Sequence, residues 1–196
     1  MSELIARGAE AELYKKNQEI IKIRKPKKYR NKTLDERIRK NRTKKEAKAT
    51  REARKIGVPT PIILDMKDFE IKFEYLDGEK IKKIYSRLNQ NDFRKIGKYI
   101  AKLHQNRIFH GDLTTSNILK TNRNKIYFID FGLSGYDGHI EPKGVDLHVL
   151  FQTIRSSHPE HTDSINIILN SYKSSMNNQK EIIQRLNEIE ERGRYF

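Results

Sequence analysis

The chain has 196 residues, with 41 Lys or Arg against 26 Asp or Glu, a formal net charge of +15 and no cysteine. That length allows one or two small units with a proper core. The lack of cysteine excludes disulfides and thiolate metal sites, and no run approaches the roughly 20 apolar residues of a membrane helix. With no signal-peptide pattern at the N-terminus, the expectation is a soluble, cytoplasmic protein that makes no membrane contact. The charge is uneven, since 17 Lys or Arg stand against four acids between Lys22 and Lys55. Such a field attracts phosphate-bearing partners, or simply forms the solvated face of a basic helix.

In chain order, Glu3-Leu4-Ile5-Ala6 and Ala11-Glu12-Leu13-Tyr14 read as two strands joined by a turn around Gly8. Glu19–Arg24 is a third strand whose alternation puts Ile21 and Ile23 on one face and Lys22 on the other. Pro26 ends it, because proline lacks the donor that a ladder requires. Thr33, with Glu36 three residues on, is expected to cap a helix that runs to about Ile56 and stops at Gly57 and Pro59. Its apolar stripe is narrow (Leu34, Ile38, Ala47, Ala49, Ala53, Ile56), and Glu46 stands out among cations. Pro61–Asp65 and Phe69–Tyr75 read as two more strands, followed by Glu74-Tyr75-Leu76-Asp77-Gly78. Asn91 is expected to cap a helix from about Asp92 to Arg107, on which Phe93, Ile96, Ile100, Leu103 and His104 recur at helical spacing.

The densest signal lies between His110 and Gly132. Asp112 and Asn117 sit five apart in a stretch of glycine and small hydroxyl residues, which favours a loop. Ile118-Leu119 is a short strand, Thr121–Asn124 a turn, and Ile126–Ile129 a buried strand ending on Asp130. Such a hairpin brings Asp112, Asn117 and Asp130 to one end, and two carboxylates with an amide oxygen suit magnesium or manganese shared with substrate phosphates. After Gly132 a short segment leads to a hydrophobic helix from Gly144, with Asp146 placed to accept hydrogen bonds from the Asp112 loop. Two helices follow, about His161–Met176 and Asn178–Arg192, and a short basic, aromatic tail.

The His110-Gly111-Asp112-Leu113-Thr114-Thr115-Ser116-Asn117 and Asp130-Phe131-Gly132 pair resembles the catalytic loop and D-F-G motif of protein kinases, with Gly111 in place of the usual arginine. That resemblance implies an α+β, two-lobed fold: a β-rich N-lobe (residues 1–76) and a minimal helical C-lobe (77–196). It implies ATP as substrate, with Gly8, Ala9, Glu10, Lys22, Glu74 and Leu76 around it. Lys22 would hold the phosphates and be oriented by Glu46; Asn117 and Asp130 would hold the metal; Asp112 would act on the attacking hydroxyl. No A-P-E element occurs, so peptide turnover is expected to be poor.

The run Ile21–Arg30, Leu34-Asp35, the loop and D-F-G motifs, Lys143–Leu147 and the terminal Arg192-Gly193-Arg194 together resemble the small kinase/ATPase subunit of the KEOPS complex. That resemblance implies a role in threonylcarbamoyl-adenosine modification of tRNA. It also implies a large sugar-kinase-like partner on the C-lobe and tail, a small accessory subunit on the N-lobe, and possible tRNA contact through residues 22–55. A RIO-type atypical kinase, and a nucleotide-binding scaffold with little catalysis, are the alternatives.

Overall fold

The computed structural model describes residues 2–8 and 10–192. Ala9 and the tail from Gly193 onward, both of which carry expectations, lie outside the described residues. The N-lobe is a five-stranded antiparallel sheet built from β1 (Glu3–Arg7), β2 (Ala11–Lys16), β3 (Glu19–Arg24), β4 (Ile63–Met66) and β5 (Glu70–Glu74), in the order β1-β2-β3-β5-β4. Helix α1 (Lys32–Lys55) lies between β3 and β4 in sequence and packs on β4 and β5. Asn17 makes the β2–β3 turn at a φ of 54°, a left-handed conformation that asparagine tolerates. The register then sets Leu13 opposite Lys22 and Lys22 opposite Ile71, at the centre of the sheet.

Two caps differ from expectation. Asn31, not Thr33, caps α1, its side chain accepting from the Thr33 and Leu34 amides. The next long helix is capped by Asn89 rather than Asn91, with Asp92 returning a bond to the Asn89 amide. In both, an asparagine lies two residues closer to the N-terminus than the cap expected from sequence, and its oxygen takes the free amides of the first turn. The end of α1 is as expected, with Gly57 at a φ of +80°.

The C-lobe is not purely helical. It begins with β6 (Gly78–Lys80) and the single turn α2 (Ile81–Ile84), then α3 (Gln90–Gln105), β7 (Ile108–Phe109), β8 (Ile118–Thr121), β9 (Ile126–Phe128), β10 (Gly135–Tyr136), α4 (Glu141–Ser157), α5 (Asp163–Ser175) and α6 (Gln179–Arg192). Strands β6, β8 and β9 form one small sheet, and β7 pairs with β10. The strands β6, β7 and β10 are too short for alternation to be seen in sequence. No helix among the described residues is long and apolar enough to cross a membrane.

The hydrophobic core sits mostly in the C-lobe, where Ile96, Ile100 and Leu103 of α3 meet Phe128, Phe131, Leu147, Phe151, Ile168 and Tyr172. The C-terminal half of α1 joins it through Ala49 and Ala53, small residues that let the helix approach closely. α3 and α5 also pack backbone to backbone: a Cβ on Gly97 would stand 2.3 Å from the Ile168 carbonyl oxygen and 3.0 Å from the Tyr172 nitrogen. Alanine raises helix propensity by about 1 kcal/mol over glycine, but overpacking a rigid contact costs roughly 1–3 kcal/mol. Gly97→Ala is therefore expected to lower stability in urea unfolding, despite favouring the isolated helix.

Candidate active site

β3 does not bury its isoleucines. Lys22 and Arg24, two apart and hence on one face, are 8% and 5% exposed, while Ile21 and Ile23 stay half-buried on the other. Two buried cations require paired carboxylates, and α1 supplies one. The Glu46 carboxylate, 1% exposed, accepts from the Lys22 ammonium at 2.7 Å on Oε1 and from the Arg24 guanidinium on Oε2. The Lys22 ammonium also donates to Asp130 Oδ1 at 2.7 Å. Burial alone would lower the Lys22 ammonium; Glu46 and Asp130 together outweigh it and hold it above its ordinary value. Burial would likewise raise the Asp130 carboxyl, and Lys22 holds it below the carboxylate range. Both groups therefore stay charged through neutral pH.

The Asp112 loop is fastened from behind. Asp146, on α4, accepts the His110 amide at 2.6 Å on Oδ2 and the Gly111 amide at 2.8 Å on Oδ1. His104 reaches Asp146 Oδ2 at 3.3 Å and the Tyr172 hydroxyl at 3.0 Å, so the core histidine ties the loop to α3 and α5. The His110 ring, fully buried, bonds the Ile129 carbonyl at 3.1 Å and bridges the loop to the strand that carries Asp130. Gly111 sits at a φ of +79°, and a Cβ there would lie 2.2 Å from the Leu133 carbonyl oxygen. That contact is why arginine cannot replace it in this fold.

Asn117 donates both to the Asp112 carbonyl, at 2.9 Å, and to Asp112 Oδ2, at 2.8 Å. Its side-chain nitrogen is thus engaged, leaving its side-chain oxygen as an acceptor or metal ligand. The Ile129 main-chain amide donates to the Asn117 main-chain carbonyl at 2.9 Å, which fixes Asn117 beside Asp130 across the hairpin. Both line a cleft of about 510 Å³ between the lobes. Ile5, Leu13, Ile20 and Phe73 line it from the N-lobe, Leu119 and Ile129 from the C-lobe, and Glu74, Tyr75 and Leu76 along the connection. An apolar slot with cations, carboxylates and an amide at one end fits a nucleotide with its phosphates. Among the described residues, no group of three or more His, Cys, Asp or Glu could hold a metal by itself. The oxygens of Asn117 and Asp130 suit a magnesium ion that completes its shell with phosphate and water.

Lys22, Glu46, Glu74, Leu76, Asn117 and Asp130 all line this cleft, and Asp112 joins them through Asn117. The turn before β2 does not come with them. Glu10 is drawn away by Arg42 at 2.6 Å, and the Gly8 amide closes a turn onto the Ala11 carbonyl at 2.9 Å. Neither lines the cleft; Ile5 and Ala6 do. Of the described residues of this turn, Gly8 thus has its amide and Glu10 its carboxylate engaged within the N-lobe. Arg24, buried on the second oxygen of Glu46, was given no role in the sequence reading. Period two from Lys22 was the signal that could have found it.

Removing the Glu46 carboxylate takes from buried Arg24 its carboxylate partner and leaves Lys22 with Asp130. Glu46→Ala is expected to cost about 3–5 kcal/mol in chemical denaturation, the range for breaking a buried pair from one side. His110 gives a pH signature. Burial holds its imidazole below the ordinary value, against the opposing pull of Asp146 and Asp130. As pH falls below the ordinary imidazole value, the unfolded chain takes up a proton that the folded chain refuses. Stability is therefore expected to fall with pH across that window, and His110→Gln should flatten this part of the stability–pH curve.

The RIO domain family matches residues 8–140. A probable serine/threonine-protein kinase BUD32 homolog of Archaeoglobus fulgidus is 42% identical over 188 residues, covering 96% of this chain and 94% of that protein. The KEOPS complex subunit Bud32 of Pyrococcus abyssi is 38% identical over 211 residues, covering 98% and 96%. A probable bifunctional tRNA threonylcarbamoyladenosine biosynthesis protein of Methanosarcina barkeri is 42% identical over 200 residues, covering 100% of this chain, which spans only 36% of that longer protein. In fold, the chain is similar to the Rio2 kinase-ADP/Mg2+-phosphoaspartate complex from Chaetomium thermophilum, with a TM-score of 0.66 at 13% identity over 97% of this chain and 70% of that one. The RIO-type rival and the KEOPS resemblance thus meet in one domain family. With its two-lobed kinase-like fold and full-length relatives at about 40% identity, the chain belongs to the RIO-domain family of atypical protein-kinase-like proteins, in the group of the Bud32 homologues.

Proposed function

We propose that the chain transfers the terminal phosphoryl group of ATP, as an atypical serine/threonine kinase or ATPase. The observation that carries this is the convergence of Lys22, Glu46, Asn117 and Asp130 on one end of an apolar interlobe cleft. Lys22, oriented by Glu46, holds the phosphates. Asp112, aligned by the Asn117 amide, accepts the proton of the attacking hydroxyl or water. Asn117 and Asp130 would hold magnesium, which when bound neutralises charge on the phosphates. Catalysis comes mainly from positioning, which suits a site whose members are locked by buried bonds.

The names of the relatives support a setting. Residues 1–76 form the N-lobe and 77–196 the C-lobe of a KEOPS subunit that serves threonylcarbamoyl-adenosine modification of tRNA in the cytoplasm. The C-lobe and tail dock on the large sugar-kinase-like subunit, the N-lobe receives the small accessory subunit, and residues 22–55 lie towards the tRNA. The acceptor is water or the chain's own Ser and Thr, because no A-P-E element follows Gly132 to present a peptide.

Magnesium-dependent ATP turnover tests the catalytic half. Asp112→Ala is expected to lower it by about 10²–10⁴-fold, the usual share of a positioned general base, and Asp130→Ala to lower it comparably. Equal rates in wild type and both variants would remove the assignment.

A further inference from the structure

A second concavity, of about 440 Å³, shares no lining residue with the nucleotide cleft. It is bounded by Arg54 and Gly57 past the end of α1, Lys95 and Tyr99 of α3, and Lys125 and Tyr127 of the β8–β9 hairpin. No Asp or Glu lines it. Lys102 stands at its edge, its ammonium 3.5 Å from the Gly57 carbonyl.

What sets these cations apart is the concavity they share. Lys40, Arg42, Lys72 and Lys120 each have a carboxylate partner, and cations of α1 that have none among the described residues, such as Lys44 and Arg51, stand on an exposed helix face. Among the described residues, the side chains of Arg54, Lys95, Lys102 and Lys125 have no carboxylate partner: Lys95 reaches the Asn124 carbonyl at 3.4 Å and Arg54 the Thr60 carbonyl. Helix α3 adds to the excess. Arg94, Lys98 and Lys102 follow one another at i,i+4, an unfavourable like-charge spacing, and the helix's one acid, Asp92, is buried against Lys120. Two tyrosines stand in the midst of this charge. Tyr99 is braced edge-on against Phe128, with ring centroids 6.2 Å apart. Unneutralised cations around half-buried aromatic rings are the chemistry that binds a nucleic-acid strand, phosphates on the cations and bases on the rings.

We propose that this groove binds a segment of single-stranded RNA through its phosphodiester backbone, with Tyr99 and Tyr127 as the base platform. A groove of this size accommodates a strand rather than a duplex. The inference rests on the tRNA-linked reading for the identity of the polymer, not on phosphoryl transfer.

The test is fluorescence anisotropy of a short unstructured oligoribonucleotide with the full chain across a salt series. Lys95→Ala/Lys125→Ala is expected to weaken binding at least about fivefold and to reduce the salt slope by roughly 0.7 per lost contact, with ATP turnover unchanged. Tyr127→Ala should weaken RNA binding but not the binding of inorganic tripolyphosphate. Wild-type affinity in the double lysine variant overturns the proposal. So does an equal loss in Lys28→Ala/Lys32→Ala, which removes the same charge elsewhere in the basic segment, or tripolyphosphate binding that matches RNA while Tyr127→Ala has no effect. A chain that turns over ATP and binds no RNA ends the groove proposal alone; groove-dependent RNA binding without turnover ends only the catalytic reading.

Discussion

The structure depends on a chain of charge that runs from buried Arg24 through Glu46 and Lys22 to Asp130, half-exposed at the cleft. It joins β3, α1 and the C-lobe, three parts that meet at the cleft. Two cations and two carboxylates balance along it, with the last carboxylate at the cleft wall. None of the four can be lost singly without leaving a buried ion short of a partner. The Gly132 backbone closes against the same group: a Cβ there would be 2.9 Å from Asp130 Oδ1 and 3.1 Å from an Arg24 guanidinium nitrogen. Asp130 itself is held at a φ of 63°, an unusual conformation for a side-chain-bearing residue, maintained by the surrounding bonds. Glu46 and Asp130 occupy two of the three N–H donors of the Lys22 ammonium, so one remains for a further oxygen from the cleft.

A second constraint explains how so small a C-lobe keeps its catalytic loop in place. Asp146 takes two consecutive loop amides and a core histidine, and His104 passes the connection to Tyr172 on α5. Burial and the nearby Asp146 carboxylate push the Tyr172 phenol well above its ordinary range, so it remains a neutral hydroxyl partner at working pH. Loop geometry is thereby set by α3, α4 and α5 from the rear. The segment after Gly132 contributes mainly the β7–β10 pairing and the Leu133 carbonyl that packs on Gly111.

Much of this was legible in sequence, and for identifiable reasons. Asp112, Asn117 and Asp130 stood out because a polar loop and a D-F-G after a β-branched strand leave few alternatives. The Lys22–Glu46 pairing was anticipated through the kinase resemblance, which sets a glutamate of this helix on the strand lysine, and the bond between them is seen. Asp146 was expected to bond the loop backbone, and the two amides it accepts are seen. Arg24 was harder, since apolar patterning argues that a strand buries its isoleucines. Only the presence of Glu46 makes the inverse arrangement stable. The caps were read two residues late, at Thr33 and Asn91 instead of Asn31 and Asn89, because several capping residues stand close together in sequence and the helix start is decided by which side chain reaches the free amides. The Glu10 ion pair was not legible: a basic α1 offers Arg42 to any nearby acid, and it pairs with Glu10.

The same reasoning orders the chain's large positive charge. Cations at the interlobe cleft and on the sheet side of α1 are neutralised internally, by Glu46, Asp130, Asp35, Glu10 and Asp68. Those paired charges fix geometry and contribute little field beyond their immediate surroundings. The cations around Arg54, Lys95, Lys102 and Lys125 have no such partners among the described residues, so they dominate the potential on that face. Formal charge therefore overstates attraction where α1 meets the sheet and understates it at the α3 face, where the sequence shows only a scattered few lysines. Attraction for a polyanion follows from where carboxylates are absent, more than from where lysines are dense.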